Sequence, residues 1–363
     1  MTPLRWWTAG DSHGPFLMGV LEGLPAGWTI RLDKAQEFLA ERSAGFGRSH
    51  RQKWEKDKVE VHGGVYKGKT TGAPLLLLLE NAGEKEPLAD ACWVARPGHG
   101  DLSGFLRTGQ PPEAQAERGS ARESAMRTAL GGVASALLED LGEIEIESWS
   151  LSIGAVHTTG KNQNPSANSL RWPDSSTEAL AIDAIKMAGR EGTTLGGSVQ
   201  IEARGLPGGW GESSQPADRL SVLLGGALLS IPSVRAVSLG KGLTQASMKG
   251  SGAHDDPLGE GNMAGGIEGG RTNGKPIRAT LWAKPISTQR TPLPSVNLQT
   301  GQSIPAPHLR SDVCVVGAIG VIAKALTGLV LAQAGASFLG GGHWEAWKER
   351  YEAHRDATPD WLP

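Results

Sequence analysis

Apolar positions in this chain follow two patterns: short runs with the two-residue period of strands, and longer stretches with the 3.6-residue period of helices. Strands are predicted over 16–22 and 75–80 with a helix over 32–42 between them, and over 198–204 and 277–283 with a helix over 217–229 between them. Each series closes on a long apolar helix, over 120–141 and over 312 to about 338. Arg118-Gly119-Ser120 and Arg310-Ser311-Asp312 stand at the two starts, where Ser120 and Asp312 each offer a capping oxygen.

Two segments repeat in the same order within this frame. Gly23-Leu24-Pro25-Ala26-Gly27-Trp28 recurs as Gly205-Leu206-Pro207-Gly208-Gly209-Trp210. Residues 63–75 recur as 265–277, sharing a Gly-Gly pair, a central Gly, a Thr and a Pro before an apolar strand. Colinear repeats joined to matching elements predict one α+β domain over 1–363, internally duplicated, with similar halves at about 10–145 and 190–340. Each half is expected to carry an antiparallel sheet covered by helices. The polar stretch near 160–178 reads as a surface connection.

Composition narrows the function classes. The 363 residues include 36 basic and 38 acidic side chains, a net charge of -2 without a basic run, which argues against a nucleic-acid surface. The two cysteines, Cys92 and Cys314, are too few for a disulfide framework or a structural zinc site and fit a reduced, cytoplasmic setting. Met-Thr-Pro-Leu-Arg-Trp-Trp at the N-terminus lacks the apolar stretch of a signal peptide. Residues 313–338 are apolar apart from Ser, Thr, Gln and Lys324, and long enough to span a bilayer. Their Gly and Ala content and the charge of Lys324 predict instead a helix buried in a large core, with no membrane partner.

Gly63-Gly64-Val65-Tyr66-Lys67-Gly68-Lys69-Thr70 matches the phosphate-binding loop of NTPases. That loop works by leading into a helix whose free amides hold phosphate, but here Gly72-Ala73-Pro74 and five leucines follow, which continue as a strand. The copy ends in Gly274-Lys275-Pro276 without the magnesium-binding hydroxyl. A structural hairpin occurring twice accounts for both.

Four polar clusters carry candidate chemistry. Gly10-Asp11-Ser12-His13-Gly14 sets an imidazole between glycines, as a structural turn or a ligand contact. Arg42, Arg48 and Arg51 follow a helix end, as a solvated basic loop or an anion clamp of planar guanidinium forks. Arg96-Pro97-Gly98-His99-Gly100-Asp101 places a second His beside a cation and a carboxylate. Glu117-Arg118-Gly119-Ser120-Ala121-Arg122-Glu123 opens a long helix, where amides and dipole favour an anion. Together they describe a metal-free site that binds a polyanion and exchanges protons near neutral pH. The residues alone lead as far as an enzyme acting on a phosphorylated, carboxylated metabolite.

In this order the clusters resemble the chorismate synthase family, through residues 10–15, 47–57, 69–74, 96–102, 117–127, 265–276, 284–285 and 310–312. The resemblance implies a carbon–oxygen lyase that eliminates phosphate from 5-enolpyruvylshikimate 3-phosphate, with loss of a ring hydrogen, to give chorismate. It implies a β-α-β sandwich with long helices between antiparallel sheets, a homotetramer and a need for reduced FMN. Only part of the family reduces that flavin with NADPH. By motif, His13 resembles the acid that assists the departing phosphate, with Ser12 beside it. His99 resembles the residue that protonates or stabilises reduced flavin, and Asp312 the carboxylate near flavin N5. Arg42, Arg48, Arg51, Arg122 and Arg310 would clamp the substrate's anionic groups. FMN would lie against Arg48, Ser120, Ala121, Asn262, Gly266, Lys284, Thr288 and Arg310.

This chain departs from the family at Gly119, where a serine is usual, at Gly252, where glutamine is common, and in a short loop before Asn262. These put flavin affinity and the role of Asp255 in question. Pro232 replaces a usual asparagine and reads as structural. A non-catalytic flavin- or anion-binding protein of the same fold is the competing reading, disfavoured by intact His13, His99 and Asp312.

Overall fold

A computed structural model describes residues 4–48, 57–81, 93–159, 170–307 and 311–359. Arg51, Arg310 and Cys92 lie outside the described residues. The chain opens with β1 (Arg5–Ala9), β2 (Phe16–Glu22), α1 (Asp33–Ser43), β3 (Val59–Gly63), the small hairpin β4 (Val65–Tyr66) and β5 (Lys69–Thr70), and β6 (Leu75–Glu80). Helices α2 (Asp101–Thr108), α3 (Pro112–Gly119) and α4 (Glu123–Gly142) follow. Next come β7 (Glu145–Ile153), β8 (Val156–His157), α5 (Ser175–Glu191), β9 (Gly197–Arg204), α6 (Leu220–Leu229) and β10 (Val234–Leu239). After α7 (Gly242–Ala246) and α8 (Gly250–Ala253), the hairpin β11 (Ile267–Glu268) and β12 (Arg271–Thr272) leads to β13 (Ile277–Ala283). A hairpin of β14 (Pro294–Val296) and β15 (Ser303–Pro305) precedes α9 (Val316–Leu339) and α10 (Trp344–Asp356).

The four-stranded sheet has the order β1-β2-β6-β3, and the five-stranded sheet, read from β8, has β8-β7-β9-β13-β10. Setting β7, β9, β13 and β10 against β1, β2, β6 and β3 makes the two orders identical apart from β8. Every pairing is antiparallel. Alternation decides which face turns inward: Leu75, Leu77 and Leu79 of β6 are buried, as are Ile277, Ala279 and Leu281 of β13. Helix α4 packs on β1, β2 and β6, α9 packs on β7 and β9, and the two helices pack against each other between the sheets. The fold is therefore α+β, with a helical core between antiparallel sheets.

The repeated segments touch each other in the same way in both halves. Gly27 N–H donates to Thr70 O (2.7 Å) and Thr70 N–H to Trp28 O (2.8 Å); Gly209 N–H donates to Thr272 O (2.8 Å) and Thr272 N–H to Trp210 O (2.8 Å). The Thr70 hydroxyl donates to Pro25 O and that of Thr272 to Pro207 O. Each Gly-Leu-Pro turn thus buries its Trp by pinning the glycine-rich hairpin, so the stretch that matches an NTPase loop is a hairpin. Small residues let the two core helices close: a Cβ on Gly131 would stand 2.3 Å from Ala325 O.

Four boundaries differ from the sequence pattern, the first at α6, which starts at Leu220 after a separate 3₁₀ turn over Pro216–Asp218. Helix α4 starts at Glu123 because Ser120, in extended conformation, closes α3, and its hydroxyl accepts from Ser12 and from Arg122 N–H instead of capping a helix. Helix α9 starts at Val316, and Asp312 does not cap it. The preceding backbone is already paired, with Val313 N–H on Gly47 O (2.7 Å) and Leu195 N–H on Val313 O (2.9 Å). The polar connection also gives way sooner than its composition suggests: Leu170, Trp172 and Asp174 are buried, and Asp174 caps α5 by accepting from Thr177 N–H.

Helix α9 is apolar and long enough to cross a membrane, yet 89% of its most apolar window is packed inside the protein. Its Lys324, 2% exposed, meets Glu41 of α1 at 3.0 Å and lies 4.1 Å from the Phe38 ring centroid.

Candidate active site

A cavity of about 640 Å³ opens where equivalent parts of the two halves converge. The end of α1 and the residues after it bring Arg42 and Arg48, and the end of α6 brings Ile231, Pro232 and Ser233. The approach to α4 brings Arg118, Gly119 and Ala121, and that to α9 brings Ser311 and Asp312. The loop before α2 adds His99, and the stretch after β13 adds Lys284, Ile286, Ser287 and Thr288. Among the described lining residues, Arg42, Arg48, Arg118 and Lys284 are cationic and Asp312 is the one carboxylate. Such a wall attracts a polyanion.

Of the sequence-predicted residues, Arg42, Arg48, His99, Ala121, Lys284, Thr288 and Asp312 line this cavity together. Arg48 Nε lies 3.5 Å from Asp312 Oδ2; Gly47, at φ +87°, holds Arg48 there by accepting from Val313 N–H. Burial pushes the Arg48 guanidinium down from its ordinary value, and Asp312 works against that. Arg42 fixes the approach to α4, donating to Ser124 Oγ and Ala121 O. Lys284 Nζ donates to Gly98 O (2.8 Å) and Ser287 Oγ (2.9 Å), tying the His99 loop to the opposite wall. Burial, then the nearby Arg235, pushes the Lys284 ammonium down.

His99 sits in the turn before α2, with Nδ1 2.7 Å from Asp101 Oδ1. Asp101 is fully buried and accepts Arg96 N–H, Nε–H and Nη2–H, each at 2.8 Å. Burial alone would raise the Asp101 carboxyl, but the bonds from Arg96 and His99 prevail and hold it well below the usual carboxylate range. The signal for this buried carboxylate in the sequence is a charged residue that follows a Gly-His-Gly turn and opens a helix.

His13 tops the β1–β2 hairpin, outside the cavity lining but joined to its α3 wall. Ser12 N–H donates to Glu117 O, Ser12 Oγ to Ser120 Oγ (3.1 Å), and His13 Nδ1 lies 2.7 Å from Glu117 Oε1. Arg122 reaches the same hairpin through Asn81: its Nε donates to Asn81 Oδ1, whose amide donates to Asp11 O and Gly14 O. Its Nη1 donates to Asp57 at 2.6 Å.

Asn262 and Gly266 are together elsewhere, before the second hairpin, where Asn262 Oδ1 accepts from Gly266 N–H and its amide donates to Pro276 O. Asp255 accepts from Met263 and Ala264 N–H, which fixes the approach to that loop. Pro232, expected to be structural, lines the cavity with Ser233, whose φ is +74°. Among the described residues no cluster of three His, Cys, Asp or Glu could hold a metal.

Comparison with known proteins agrees with this fold. The family model described as chorismate synthase matches residues 4–335. A chorismate synthase of Frankia casuarinae is 37% identical, covering 97% of this chain and 98% of the relative, and one of Nocardia farcinica is 40% identical, covering 93% and 92%. A crystal structure of a chorismate synthase superposes with a TM-score of 0.79 at 29% identity, over 98% of both chains. With the fold and nearly the full length in agreement, the chain belongs to the chorismate synthase family.

Proposed function

We propose that this chain eliminates phosphate from 5-enolpyruvylshikimate 3-phosphate to give chorismate, a step toward the aromatic amino acids, as a cytoplasmic homotetramer that uses reduced FMN. One observation carries the reading: four cations, His99 and Asp312 share one cavity of about 640 Å³. The volume lies in the range of cofactor and small-molecule sites, roughly 300–1,000 Å³. Its residues fit a flavin beside a small polyanion. Ile286, Val315, Ala318, Ile319 and Ile322 offer an apolar wall for a flat ring, and the cations suit phosphates and carboxylates. Nothing lies within 4 Å of where a Gly119 Cβ would stand, which leaves room beside Ala121.

Ser120, Ala121, Lys284 and Thr288 would hold the flavin; Asn262 and Gly266, expected from the sequence as further contacts, lie apart from this cavity. Reduced flavin, when bound, supplies electron density that eases loss of phosphate. His13 holds the proton for the departing phosphate and Ser12 steadies its turn. Arg42 and Arg48, with Arg51 and Arg310 outside the described residues, balance the substrate's charge. Arg122 completes the cationic set through the His13 hairpin. His99 keeps a proton available beside the reduced ring, and Asp312 helps take up the ring hydrogen.

The test is phosphate release with chorismate formation under anaerobic conditions, comparing photoreduced FMN, oxidised FMN and no flavin. Turnover is expected only with reduced FMN. Tight substrate binding without turnover in any sample would make the chain a binding protein instead. Adding NADPH aerobically then shows whether the chain reduces its own flavin. Arg48→Gln is expected to lose about 1.5–3 kcal/mol of charge-assisted bonding, roughly 10- to 150-fold in KM for the substrate, in a chain that still folds but melts lower because Asp312 loses its contact with Arg48. An unaltered KM would remove Arg48 from the anion site.

A further inference from the structure

Both histidines of the site present the same nitrogen to a carboxylate. His13 Nδ1 lies 2.7 Å from Glu117 Oε1, and His99 Nδ1 lies 2.7 Å from Asp101 Oδ1. The partners come from different elements, the last turn of α3 in one case and the first residue of α2 in the other. Ionised carboxylates only accept, so at His13, where Glu117 is the partner, the contact puts the proton on Nδ1 and leaves Nε2 as the nitrogen turned to other partners.

At His13 the bonding is doubly specified. Glu117 Oε1 takes the ring while Oε2 takes the backbone N–H of His13 at 2.9 Å. Both of those bonds need an acceptor, and only a carboxylate offers two. At His99 the Arg96 Nη2 carries two hydrogens and lies 3.2 Å from Nδ1 and 2.8 Å from Asp101 Oδ1, so Nδ1 there faces a donor as well as a carboxylate and its proton is not fixed by Asp101 alone.

Resting on the elimination chemistry proposed above, we infer that Glu117 is a positioning residue that holds His13 in the Nδ1–H form, with Nε2 as the working atom. Glu117 can be replaced without opening the core, because its side chain is partly exposed. In Glu117→Gln the single amide oxygen can serve the backbone N–H or the ring. If it serves the backbone, the amide NH₂ faces Nδ1 and forces the proton onto Nε2.

The experiment is long-range ¹H–¹⁵N spectroscopy of the full chain with ¹⁵N-labelled histidine, at a pH where the rings are neutral, with His13 and His99 assigned by substitution. His13 is expected as Nδ1–H in the wild type. In Glu117→Gln, His13 is expected to shift toward Nε2–H while His99 is unchanged, and kcat falls by about 10- to 100-fold with KM retained, the size seen when a partner orienting a histidine is lost. Glu117→Asp, which keeps two acceptors, should restore much of the Nδ1–H signal. An Nε2–H signal for His13 in the wild type would overturn the inference, as would a Glu117→Gln protein with wild-type tautomer and rate, or a changed tautomer with unchanged kcat. A wild-type chain that never eliminates phosphate would count against the lyase reading instead, and the spectra would still decide the placement of His13.

Discussion

Replacing His13 or His99 by alanine is expected to lower kcat by about 10²- to 10⁴-fold, the contribution of a positioned acid or base, while the chain still folds and binds FMN. The fold should survive for different reasons at the two sites. The His13 side chain is 49% exposed on a hairpin tip, so truncation removes little packing. The hairpin stays held by Asn81 on Asp11 O and Gly14 O and by Ser12 N–H on Glu117 O. Loss of His99 leaves buried Asp101 paired with Arg96 through both oxygens, so no isolated charge is created. Steady-state rates with reduced FMN, flavin titration and melting temperature separate these effects. Wild-type rates in either variant would remove that histidine from the reaction, and lost folding would make its role structural.

Much of the architecture was legible because burial in this fold is regular. The unbroken leucine run 75–79 and the apolar–polar alternation from Ile277 to Leu281 mark strands, and the repeated Gly-Leu-Pro and Gly-Gly segments mark the same junction twice. The starts of α4 and α9 were not legible, because tertiary bonds decide them: Ser12 on Ser120, and Gly47 and Leu195 on Val313. Helix α5 escaped because its cap, Asp174, ends a polar stretch that reads as loop. At the site, motifs gave the chemistry-bearing side chains, but Arg118 and Ile231 to Ser233 join it only through packing between halves. The carboxylate of Glu117 was visible, but its pairing with His13, 104 positions away, was not.

Lys324→Ala is expected to cost about 3–5 kcal/mol of stability, the penalty for breaking a buried ion pair by removing one partner. Lys324 and Arg171 both reach Glu41 Oε2, at 3.0 and 3.2 Å, and Arg171 also reaches Glu147 at 3.1 Å, so the cluster joins α9, α1 and β7. Truncation takes a cation from Glu41 and opens a void beside Phe38. Burial alone would raise the Glu41 carboxyl, but Lys324 and then Arg171 pull it below its ordinary value. A depressed folded-state value means the cluster stabilises the protein above the ordinary glutamate range and loses that contribution as pH falls through the lowered value. Urea unfolding across acid pH should therefore show a steeper loss in the wild type than in Lys324→Ala. The double variant Glu41→Gln/Lys324→Met should cost less than the sum of its singles, because no unpaired charge remains. A cost for Lys324→Ala under about 1 kcal/mol, in the range of exposed pairs, would mean that water already shares the cluster and that α9 is held by its apolar faces alone.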